Sequence, residues 1–498
     1  MNYLKASSEE LAAEKEKAAK ELQKLLKNGV TLDLSRGKPS AEQLDLSLGM
    51  LDVIDSRSIL DSESGQDCRN YGGLDGIPEA KRLLAHMMGT HSSHTLVGGN
   101  SSLTMMYQMV SHGMTDGICG AKPWQEVEGR KFLCPVPGYD RHFAITEHFG
   151  FELVPVPMLP TGPDMDEVEK LIKDEKVKGI WCVPKYSNPD GIIYSDETIA
   201  RIAALKPAAP DFALMWDNAY CIHEFDGDFV PFRDILTLCR EVGNDGMVYE
   251  FASTSKVTLP GAGFSVMATS EANQAYLQKL IGIQTISYDK VNSLRHVRFL
   301  KDKAHTLELM KKHAAILNPK FQCVLRHLDT EIAPLGIASW QRPKGGYFVS
   351  VNTAPGLAKR TLALCKEAGV VMTGAGATFP YGRDPQDSNI RIAPSLPPVE
   401  ELEQAMELFR KHDVMVVSDE IWSDLTMPGY HHIPTQSISE DAKLRTIALY
   451  APSKTFNLAG LVGSYHVIYN KLLRDRVDKE SSLSHYDEMN VLSMHALI

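Results

Sequence analysis

Val248-Tyr249-Glu250-Phe251-Ala252-Ser253-Thr254-Ser255-Lys256 is a largely apolar, strand-like run that ends in three hydroxyl residues and a lysine. It belongs to a series of short apolar runs between about residues 60 and 300, and helical patterns alternate with them. Such alternation is typical of a mostly parallel sheet between layers of helices, so it predicts an α/β fold. The runs are Arg130–Pro135, Phe151–Pro157, Gly179–Pro184, Ala213–Asp217, Met247–Ser253 and Ser265–Ser270.

The composition bounds the class of protein. Of 498 residues, 43% are apolar and 23% are charged, which is enough apolar content for large buried cores. The 52 Lys and Arg against 63 Asp and Glu give a net charge of −11, without a long basic run, so nucleic acid is not an expected partner. No stretch approaches the roughly 18 apolar residues that span a bilayer, and the N-terminus lacks the apolar segment of a signal peptide. We therefore expect no membrane association and a cytoplasmic location.

The cysteines are scattered and form no CxxC pair, which predicts buried, reduced thiols rather than disulfides or zinc ligands. His431-His432 is better explained as part of a solvated loop than as a metal pair, so no metal site is predicted. The eight cysteines are Cys68, Cys119, Cys134, Cys182, Cys221, Cys239, Cys323 and Cys365.

An N-terminal helix is predicted over residues 7–28. Ser7 and Glu10 have the spacing of a capping box, and Asn28-Gly29 marks the end of the helical pattern. The high charge of this segment is typical of a surface arm.

A second, smaller α+β domain is predicted after residue 300. A long charged helical pattern, Arg298–Leu317, precedes the strand-like stretches Gly345–Val349 and Asn389–Ile392. The predicted segments are 1–60, an N-terminal arm with part of the small domain; 61–299, the large domain; 300–411, the rest of the small domain; and 412–498, a partial α/β segment.

A carboxylate stands 39 residues before Lys256, in the apolar run Met215-Trp216-Asp217-Asn218-Ala219-Tyr220. Pyridoxal phosphate chemistry needs a lysine amine that attacks the aldehyde and an anion against the pyridine nitrogen, so that the protonated ring can accept electrons. Lys256 and Asp217 fit these two roles. Tyr220 and Asn188, the latter in an Asn-Pro turn, are candidates for contact with the phenolic oxygen of the cofactor.

A candidate phosphate cup lies upstream, where Gly98-Gly99-Asn100-Ser101-Ser102 precedes a helical run. A helix start offers free backbone N–H groups, and the hydroxyls of Ser101 and Ser102 add further donors. Each feature by itself also fits ordinary structure: a solvated lysine, an Asn-Pro turn, a packed tyrosine or a helix cap. The combination in one chain favours a pyridoxal 5'-phosphate enzyme, with Ser253 and Ser255 as further cofactor contacts.

Several stretches carry a resemblance to class I and II aminotransferases, which are fold-type I pyridoxal phosphate enzymes. Over about residues 1–410 the chain most resembles a subgroup described as aspartate aminotransferases. The fold implied is a large domain with a mostly parallel mixed sheet between helices, plus a smaller α+β domain. The stretches are Ser35-Arg36-Gly37-Lys38-Pro39, Asn70-Tyr71-Gly72-Gly73, Cys134-Pro135-Val136-Pro137-Gly138-Tyr139-Asp140-Arg141-His142-Phe143, Asp289-Lys290-Val291-Asn292 and Asn389-Ile390-Arg391-Ile392-Ala393-Pro394-Ser395.

The resemblance implies roles for further residues. Gly37 would border the substrate carboxylate, Tyr139 would stack on the pyridine ring, and Asn188 would also border the substrate. Arg391 would bind the α-carboxylate, a role that the planar guanidinium supports independently because it matches a carboxylate bidentately. Tyr71 would reach the phosphate of the partner subunit, so the expected active form is a homodimer.

One position departs from the family pattern. Many relatives carry an arginine eight residues after the lysine to neutralise the phosphate, and this chain has Phe264 there. Backbone N–H groups of Gly261-Ala262-Gly263 are the alternative, with Lys290 or Arg295 as candidate charge donors.

The expected reaction is a ping-pong transamination. Desolvation and the neighbouring pyridinium should lower the pKa of Lys256, and the free amine would move a proton as general base and acid. The resemblance implies aspartate as donor and 2-oxoglutarate as acceptor, and the distal carboxylate would need a second cation. Arg36, Arg141 and Arg295 are the candidates.

The C-terminal segment repeats part of the pattern, because Asp419 and Lys454 are separated by 35 residues. Residues 412–498 resemble the middle of cystathionine β-lyase-like (C-S lyase) enzymes, another fold-type I branch. The segment has no phosphate cup, no stacking aromatic before Asp419 and no arginine for a carboxylate after Lys454. We interpret it as a relic of a fusion or truncation, against a live second site or a regulatory appendage. Its deletion should leave transamination intact and improve solubility.

Two other functions compete with transamination. A C-S β-lyase would release pyruvate and sulfide from a sulfur amino acid without needing a 2-oxo acid. A non-catalytic pyridoxal phosphate-binding regulator is the other, but the N-terminal helix lacks a helix-turn-helix partner. A purely structural protein would leave Lys256, Asp217, Asn188 and Arg391 without a reason.

Overall fold

The structure is a computed structural model, and it describes residues 3, 5–26, 32–397, 416–419, 437, 446–450, 465–469, 471 and 474. The chain divides into two units, one of Met1–Leu11 with Leu32–Glu403 and one of Ala12–Thr31 with Gln404–Ile498. The predicted segment boundaries at 60, 299 and 411 stay predictions.

Twelve α-helices lie in the described residues. They are α1 (Ser8–Leu26), α2 (Ala41–Asp45), α3 (Pro78–Met88), α4 (Ser102–Thr115), α5 (Asp140–His148), α6 (Met165–Leu171), α7 (Asp196–Ala203), α8 (Ile235–Glu241), α9 (Glu271–Gln284), α10 (Lys290–Leu300), α11 (Lys303–His327) and α12 (Ala358–Glu367).

Sixteen strands accompany these helices in the same part of the chain. They are β1 (Leu32–Asp33), β2 (Thr95–Val97), β3 (Lys131–Val136), β4 (Glu152–Leu159), β5 (Gly162–Pro163), β6 (Val177–Cys182), β7 (Ala213–Asp217), β8 (Val248–Ser253), β9 (Ser265–Thr269), β10 (Ala338–Trp340), β11 (Val349–Thr353), β12 (Val370–Val371), β13 (Asn389–Ile392), β14 (Val416–Asp419), β15 (Thr446–Tyr450) and β16 (Tyr465–Val467).

An eight-stranded sheet forms the centre of the first unit, in the order β2-β9-β8-β7-β6-β3-β4-β5. Strands β8, β7, β6, β3 and β4 run parallel, whereas β9 pairs antiparallel with both β8 and β2. Two apolar cores cover its faces, one with α3, α7 and α8 and the other with α4, α5 and α9. All residues of β6 and β7 are buried, as expected for strands with helices on both faces.

A smaller sheet follows in the same unit, with antiparallel order β10-β11-β13. Strand β1 pairs parallel with β12, which joins the segment after the N-terminal helix to this part of the chain. The α/β prediction is confirmed, and each of the six predicted strand runs overlaps a strand of the large sheet. Two strands of that sheet, β2 and β5, have three and two residues and were too short to give a pattern.

The N-terminal helix is confirmed with its capping box. The backbone N–H of Ser7 donates to Glu10 Oε2 at 2.7 Å, and that of Glu10 donates to Ser7 Oγ at 3.2 Å. The predicted stop at Asn28-Gly29 lies outside the described residues.

The single helix predicted over Arg298–Leu317 is wrong. Helix α10 ends at Leu300, and Lys301 takes a φ of 61°, which breaks the helix. Asp302 then caps α11 by accepting from the backbone N–H of His305 at 2.8 Å. A capping aspartate competes with helix continuation, so the pattern covers two helices.

The second unit contains a three-stranded sheet, with β14 parallel to β15 and β15 antiparallel to β16. This repeats the order of β7, β8 and β9. Asp217 lies opposite Phe251, five positions before Lys256, and Asp419 lies opposite Leu449, five positions before Lys454 in the sequence. Lys454 and His431-His432 lie outside the described residues.

The cysteines agree in part with the sequence-based prediction of buried, reduced thiols. All eight cysteines are free, and six are buried, but Cys119 is exposed and Cys365 is half-buried, so the prediction of burial is wrong for these two. None of the helices in the described ranges is long and apolar enough to cross a membrane.

Candidate active site

Loops at the carboxyl edge of the large sheet enclose a cavity of about 260 Å³. Ligand sites in open α/β sheets lie at this edge, where the loops after parallel strands meet. Eleven of the predicted site residues line the cavity, and two, Asn100 and Tyr71, do not. The eleven are Gly37, Ser101, Ser102, Tyr139, Asn188, Asp217, Tyr220, Ser253, Ser255, Lys256 and Arg391.

Asp217 ends the buried strand β7, and only 4% of its surface is exposed. His142 Nε2 lies 2.9 Å from Asp217 Oδ2, and the His142 ring stacks on Trp181 with 4.4 Å between centroids. An ionised carboxylate only accepts, so the imidazole donates this bond. Asp217 Oδ1 is buried and has no hydrogen-bond partner in the described part of the chain. The carboxylate therefore has one fixed oxygen and one oxygen available for a donor.

Lys256 lies three residues beyond the end of β8. The residue is half-buried and lines the cavity, and burial lowers the pKa of Lys256, while the charge of Asp217 opposes this shift. Lys256 Nζ lies 5.5 Å from the ring centroid of Tyr220 and 5.6 Å from that of Tyr347. Burial also raises the pKa of Tyr220 well above its usual range, with Tyr139 and Asp217 adding to the shift. The amine thus lies beside two aromatic rings, within the influence of one carboxylate.

The predicted phosphate cup is the start of helix α4. Ser101 is the N-cap, and its Oγ accepts from the backbone N–H of Leu103 at 3.2 Å. Asn100 points away from the cavity and donates from Nδ2 to the carbonyl of Pro260 at 3.0 Å. Ser253 Oγ donates to Ser255 Oγ at 3.0 Å, and both serines line the same cavity. Hydroxyls and the start of a helix therefore contribute to the lining of one cavity.

The predicted charge donors for a phosphate lie off the cavity. Phe264 is buried, and its ring packs against His296 with 5.0 Å between centroids, so this position belongs to the core. Lys290 is buried in α10, and Arg295 donates to Asn292. Arg36 and Lys38 are the cavity-lining cations besides Lys256 and Arg391, within the described ranges.

Arg391 of β13 is held by three partners. Its Nη1 donates to Asp140 Oδ1 at 3.0 Å and to Asn188 Oδ1 at 3.2 Å, and its Nη2 donates to Thr373 Oγ1 at 3.0 Å. The two Nη1 hydrogens are thereby used. Nε and the second Nη2 hydrogen are without partners in the described residues, and a guanidinium edge of this kind binds a carboxylate bidentately.

Gly37 and Tyr71 have opposite surroundings. A Cβ at Gly37 would lie 2.7 Å from Phe348 Cζ and 3.1 Å from Tyr347 Cβ, so a larger residue would have to displace the Phe348 ring. Tyr71 is 76% exposed in the single chain.

The comparison with known proteins identifies the family. The model of the aspartate amino-transferase family matches residues 6–420. The chain belongs to this aspartate aminotransferase family. It is similar to an aspartate aminotransferase of Corynebacterium glutamicum, with 46% identity over 387 residues, 77% of this chain and 89% of that protein. It also resembles the crystal structure of an aspartate transaminase from the same species, with 43% identity, coverage of 82% and 96%, and a TM-score of 0.80.

The aspartate aminotransferase family accounts for most of the chain, and a second match covers its end. The model of class I and II aminotransferases matches residues 394–486. Cystathionine beta-lyase PatB of Bacillus subtilis is 38% identical over 98 residues, which is 20% of this chain and 25% of that protein. Both predicted resemblances are confirmed, and the chain is a transaminase.

Three residues of this aspartate aminotransferase family member were not assigned roles from the sequence. His142 and Asp140 belong to the family stretch at residues 134–143, but their contacts with Asp217 and Arg391 span 75 and 251 positions. Tyr347 follows the Gly345-Gly346 pair and carried no motif of its own. Partners this distant in sequence are set by the sheet order and leave no local signal.

Proposed function

We propose that this transaminase binds pyridoxal 5'-phosphate in the cavity and transfers the amino group of aspartate to 2-oxoglutarate. One observation carries the proposal: the half-buried Lys256 and the unpartnered Oδ1 of Asp217 belong to the same cavity. These are the two groups that the aldehyde and the pyridine nitrogen of the cofactor require.

The residues present fit the cofactor. Asp217 Oδ1 is a buried acceptor that lacks a donor, which a protonated ring nitrogen would supply. Ser101, Ser102 and the N–H groups at the start of α4 would receive the phosphate, and Tyr139 would lie against the ring. When bound, pyridoxal phosphate supplies an electron sink for the carbanion at the substrate α-carbon.

The cavity-lining side chains would have separate roles in the reaction. Lys256 would hold the cofactor covalently and, once displaced by substrate, move a proton from the α-carbon as a general base. Asp217, fixed by His142, would hold the proton on the ring nitrogen. Tyr220 and Asn188 would contact the phenolic oxygen, and the free edge of Arg391 would bind the α-carboxylate while Asp140 keeps its place on Nη1.

Borohydride reduction followed by peptide mass spectrometry tests the cofactor site. We expect the pyridoxyl label on Lys256 and no label in a Lys256→Ala variant. The reduced amine gives a stable mark that does not depend on turnover. Label on another lysine, or none, would show that the cavity is not the cofactor site.

Arg36 is the strongest of the three predicted cations for the distal carboxylate. Its side chain is exposed and lines the cavity, whereas Arg141 is exposed off the cavity and Arg295 is engaged with Asn292. An Arg36→Gln variant should lose about 10- to 100-fold in kcat/KM for aspartate, because a charge-assisted contact contributes about 1.5–3 kcal/mol. Alanine has no distal carboxylate, so its kcat/KM should not change.

Arg141→Gln is the matched control and should leave both substrates unaffected. Equal losses for aspartate and alanine in Arg36→Gln would mean that Arg36 acts on the α-carboxylate or on the fold. No loss for aspartate would remove Arg36 as the specificity residue.

The match to a cystathionine beta-lyase supports β-elimination as the second candidate. The two reactions separate in one assay, since elimination yields pyruvate and sulfide from cystathionine or cysteine without a 2-oxo acid. We expect amino transfer that depends completely on the 2-oxo acid.

A homodimer is the proposed active form, as the exposure of Tyr71 in the single chain supports. The Tyr71 ring is 76% exposed, so it is accessible to a second subunit. The partner's cavity is the proposed destination of this tyrosine.

A further inference from the structure

A buried polar cluster lies next to Lys256 and outside the cavity lining. It consists of Gln43, His313 and Tyr347, which are 0%, 1% and 1% exposed. None of the three lines the cavity, so neither cofactor nor substrate explains them. They come from α2, α11 and the segment just before β11.

The hydrogen bonds of this cluster can be assigned one by one. Gln43 Nε2 lies 3.1 Å from His313 Nδ1 and 3.1 Å from Tyr347 Oη, and Gln43 Oε1 accepts from the backbone N–H of Ser40 at 3.2 Å. The amide therefore donates both hydrogens, one to each partner.

The tautomer of His313 follows from its other contact. His313 Nε2 lies 3.2 Å from the carbonyl of Val257, which can only accept, so Nε2 carries the hydrogen and Nδ1 accepts from Gln43. Burial lowers the pKa of His313 to about 4, which agrees with a neutral ring. The hydrogen bonds from Gln43 to His313 and from His313 to Val257, the residue after Lys256, each pair one donor with one acceptor.

Tyr347 connects the cluster to the Lys256 amine. Its ring stacks on Tyr220 with 6.2 Å between centroids and an angle of 24°, and Lys256 Nζ lies 5.6 Å from its centroid. His223 packs its ring edge-on against both tyrosines, at 5.6 and 6.4 Å between centroids. These three rings, Tyr220, His223 and Tyr347, form the aromatic wall beside the amine.

We propose that Gln43, His313 and Tyr347 are positioning residues whose hydrogen bonds hold this aromatic wall against the Lys256 amine and exclude water from it. The inference rests on the proposed role of Lys256. The cluster joins three segments that are distant in sequence. A buried amide without partners costs folding free energy, so the hydrogen bonds of Gln43 favour one placement of the Tyr347 ring.

The basicity of Lys256 is the property that the wall should control. The titratable groups that face the amine are Asp217 from β7, Tyr220 and His223 from the segment after it, and Tyr347. Asp217 favours the ammonium form, and burial by the rings favours the neutral amine. Water that entered behind a loosened ring would solvate the ammonium and raise the pKa of Lys256.

Acetylation of the apoprotein over a range of pH measures this pKa without any turnover. Acetic anhydride reacts with the neutral amine, and peptide mass spectrometry reports the modified fraction of Lys256 at each pH. We expect Gln43→Met to raise the midpoint by about one pH unit, since partial loss of desolvation shifts a buried lysine by this order. Tyr347→Phe keeps the ring, loses one bond and should give a smaller rise.

Two further variants separate positioning from general damage. His313→Gln can still accept from Gln43 and donate to Val257, so it should stay close to the wild-type midpoint, whereas His313→Leu should not. Gln274→Met is the matched control, because Gln274 is also a buried amide and donates to Ser93 and Thr269 at the opposite edge of the sheet. It should lower thermal stability and leave the Lys256 midpoint unchanged.

An unchanged midpoint in folded Gln43→Met, or an equal shift in Gln274→Met, would overturn the proposal. If Gln43→Met does not fold, Tyr347→Phe provides the test. An unchanged Lys256 midpoint in Tyr347→Phe would then overturn the proposal. The cofactor label on Lys256 tests the proposed function separately. A shifted midpoint with no label on Lys256 would reject the cofactor site but would still support the positioning role of Gln43, His313 and Tyr347.

Discussion

His142 acts on the candidate site through one hydrogen bond and one stacked ring. Its Nε2 donates to Asp217 Oδ2 at 2.9 Å, and its ring lies on Trp181. His142→Phe keeps the stacking and removes the donor. Because hydrogen bonds to charged groups contribute about 1.5–3 kcal/mol, we expect kcat for transamination to fall by about 10- to 100-fold.

A second buried histidine provides the control for that variant. His94 lies just before β2 and contacts Arg240, so His94→Phe should leave kcat unchanged. A normal kcat in His142→Phe would show that Asp217 holds the ring nitrogen without help from the imidazole.

Asp190, in the loop that carries Asn188, should make the stability of the folded protein depend on pH. It follows Asn188 by two positions, and burial raises the pKa of Asp190 to about 6, from an ordinary value of 3.8. The folded state thus binds the proton more tightly than the unfolded chain, so ionisation opposes folding. The cost is absent below about pH 4, grows between the two pKa values and is complete above about pH 6.

Asp190→Asn should therefore stabilise the protein at pH 7.5, on the order of 2 kcal/mol, and change little at pH 4. Thermal unfolding at the two pH values measures the difference. A gain of equal size at both would mean that the amide improves packing and that the charge of Asp190 has no cost.

At the scale of elements, the start of α4 depends on the close approach of Gly98. A Cβ there would lie 2.4 Å from Met105 Sδ, inside the buried first turns of the helix. In Gly98→Ala, either the buried Met105 side chain or the helix start that forms the proposed phosphate cup has to move, and we expect the apoprotein to bind pyridoxal phosphate about tenfold more weakly. Fluorescence titration measures the Kd.

Gly99→Ala is the matched control, because a Cβ at Gly99 meets only Tyr288 carbons at 3.8 Å. It should bind the cofactor normally. The double variant Gly98→Ala with Met105→Ala removes the collision and should recover part of the affinity. Normal binding by Gly98→Ala alone would place the phosphate elsewhere.

The elements show which features the sequence could predict. Buried parallel strands give continuous apolar runs, so the runs ending in Asp217 and near Lys256 were found from composition and length. The break at Lys301 was missed because the cap of Asp302 overrides a helical pattern that continues on both sides. The contact between His142 and Asp217 depends on β3, β6 and β7 being neighbours, which local patterns do not encode.

At the scale of the whole molecule, a dimer that shares Tyr71 makes a specific prediction. A Lys256→Ala chain and a Tyr71→Ala chain should each be nearly inactive. A hybrid dimer would contain one complete site, because the lysine of one chain meets the tyrosine of the other. Mixed and reassociated subunits should therefore recover about a quarter of the wild-type activity. No recovery, with dimers present, would remove Tyr71 from the partner's site.

The C-terminal repeat has the strand order of the active-site strands but lacks the other predicted features of a cofactor site. Strands β14, β15 and β16 repeat the arrangement of β7, β8 and β9, and Asp419 holds the register position of Asp217. The predicted site residues all lie between Gly37 and Arg391, within the first unit. Because a site needs a cup, a stacking ring and a carboxylate-binding arginine as well, deletion of residues 412–498 should leave kcat/KM for aspartate within about twofold.

Soluble yield should rise in the same truncated chain, because β14 and β16 each pair on one side only in the described residues. Lys454→Ala in the full chain is the matched point variant and should retain both activity and the label on Lys256. If truncation lowered activity tenfold while Lys454→Ala did not, the segment would act by stabilising the first unit. If both did, and the label appeared on Lys454, the repeated register would be a second working site.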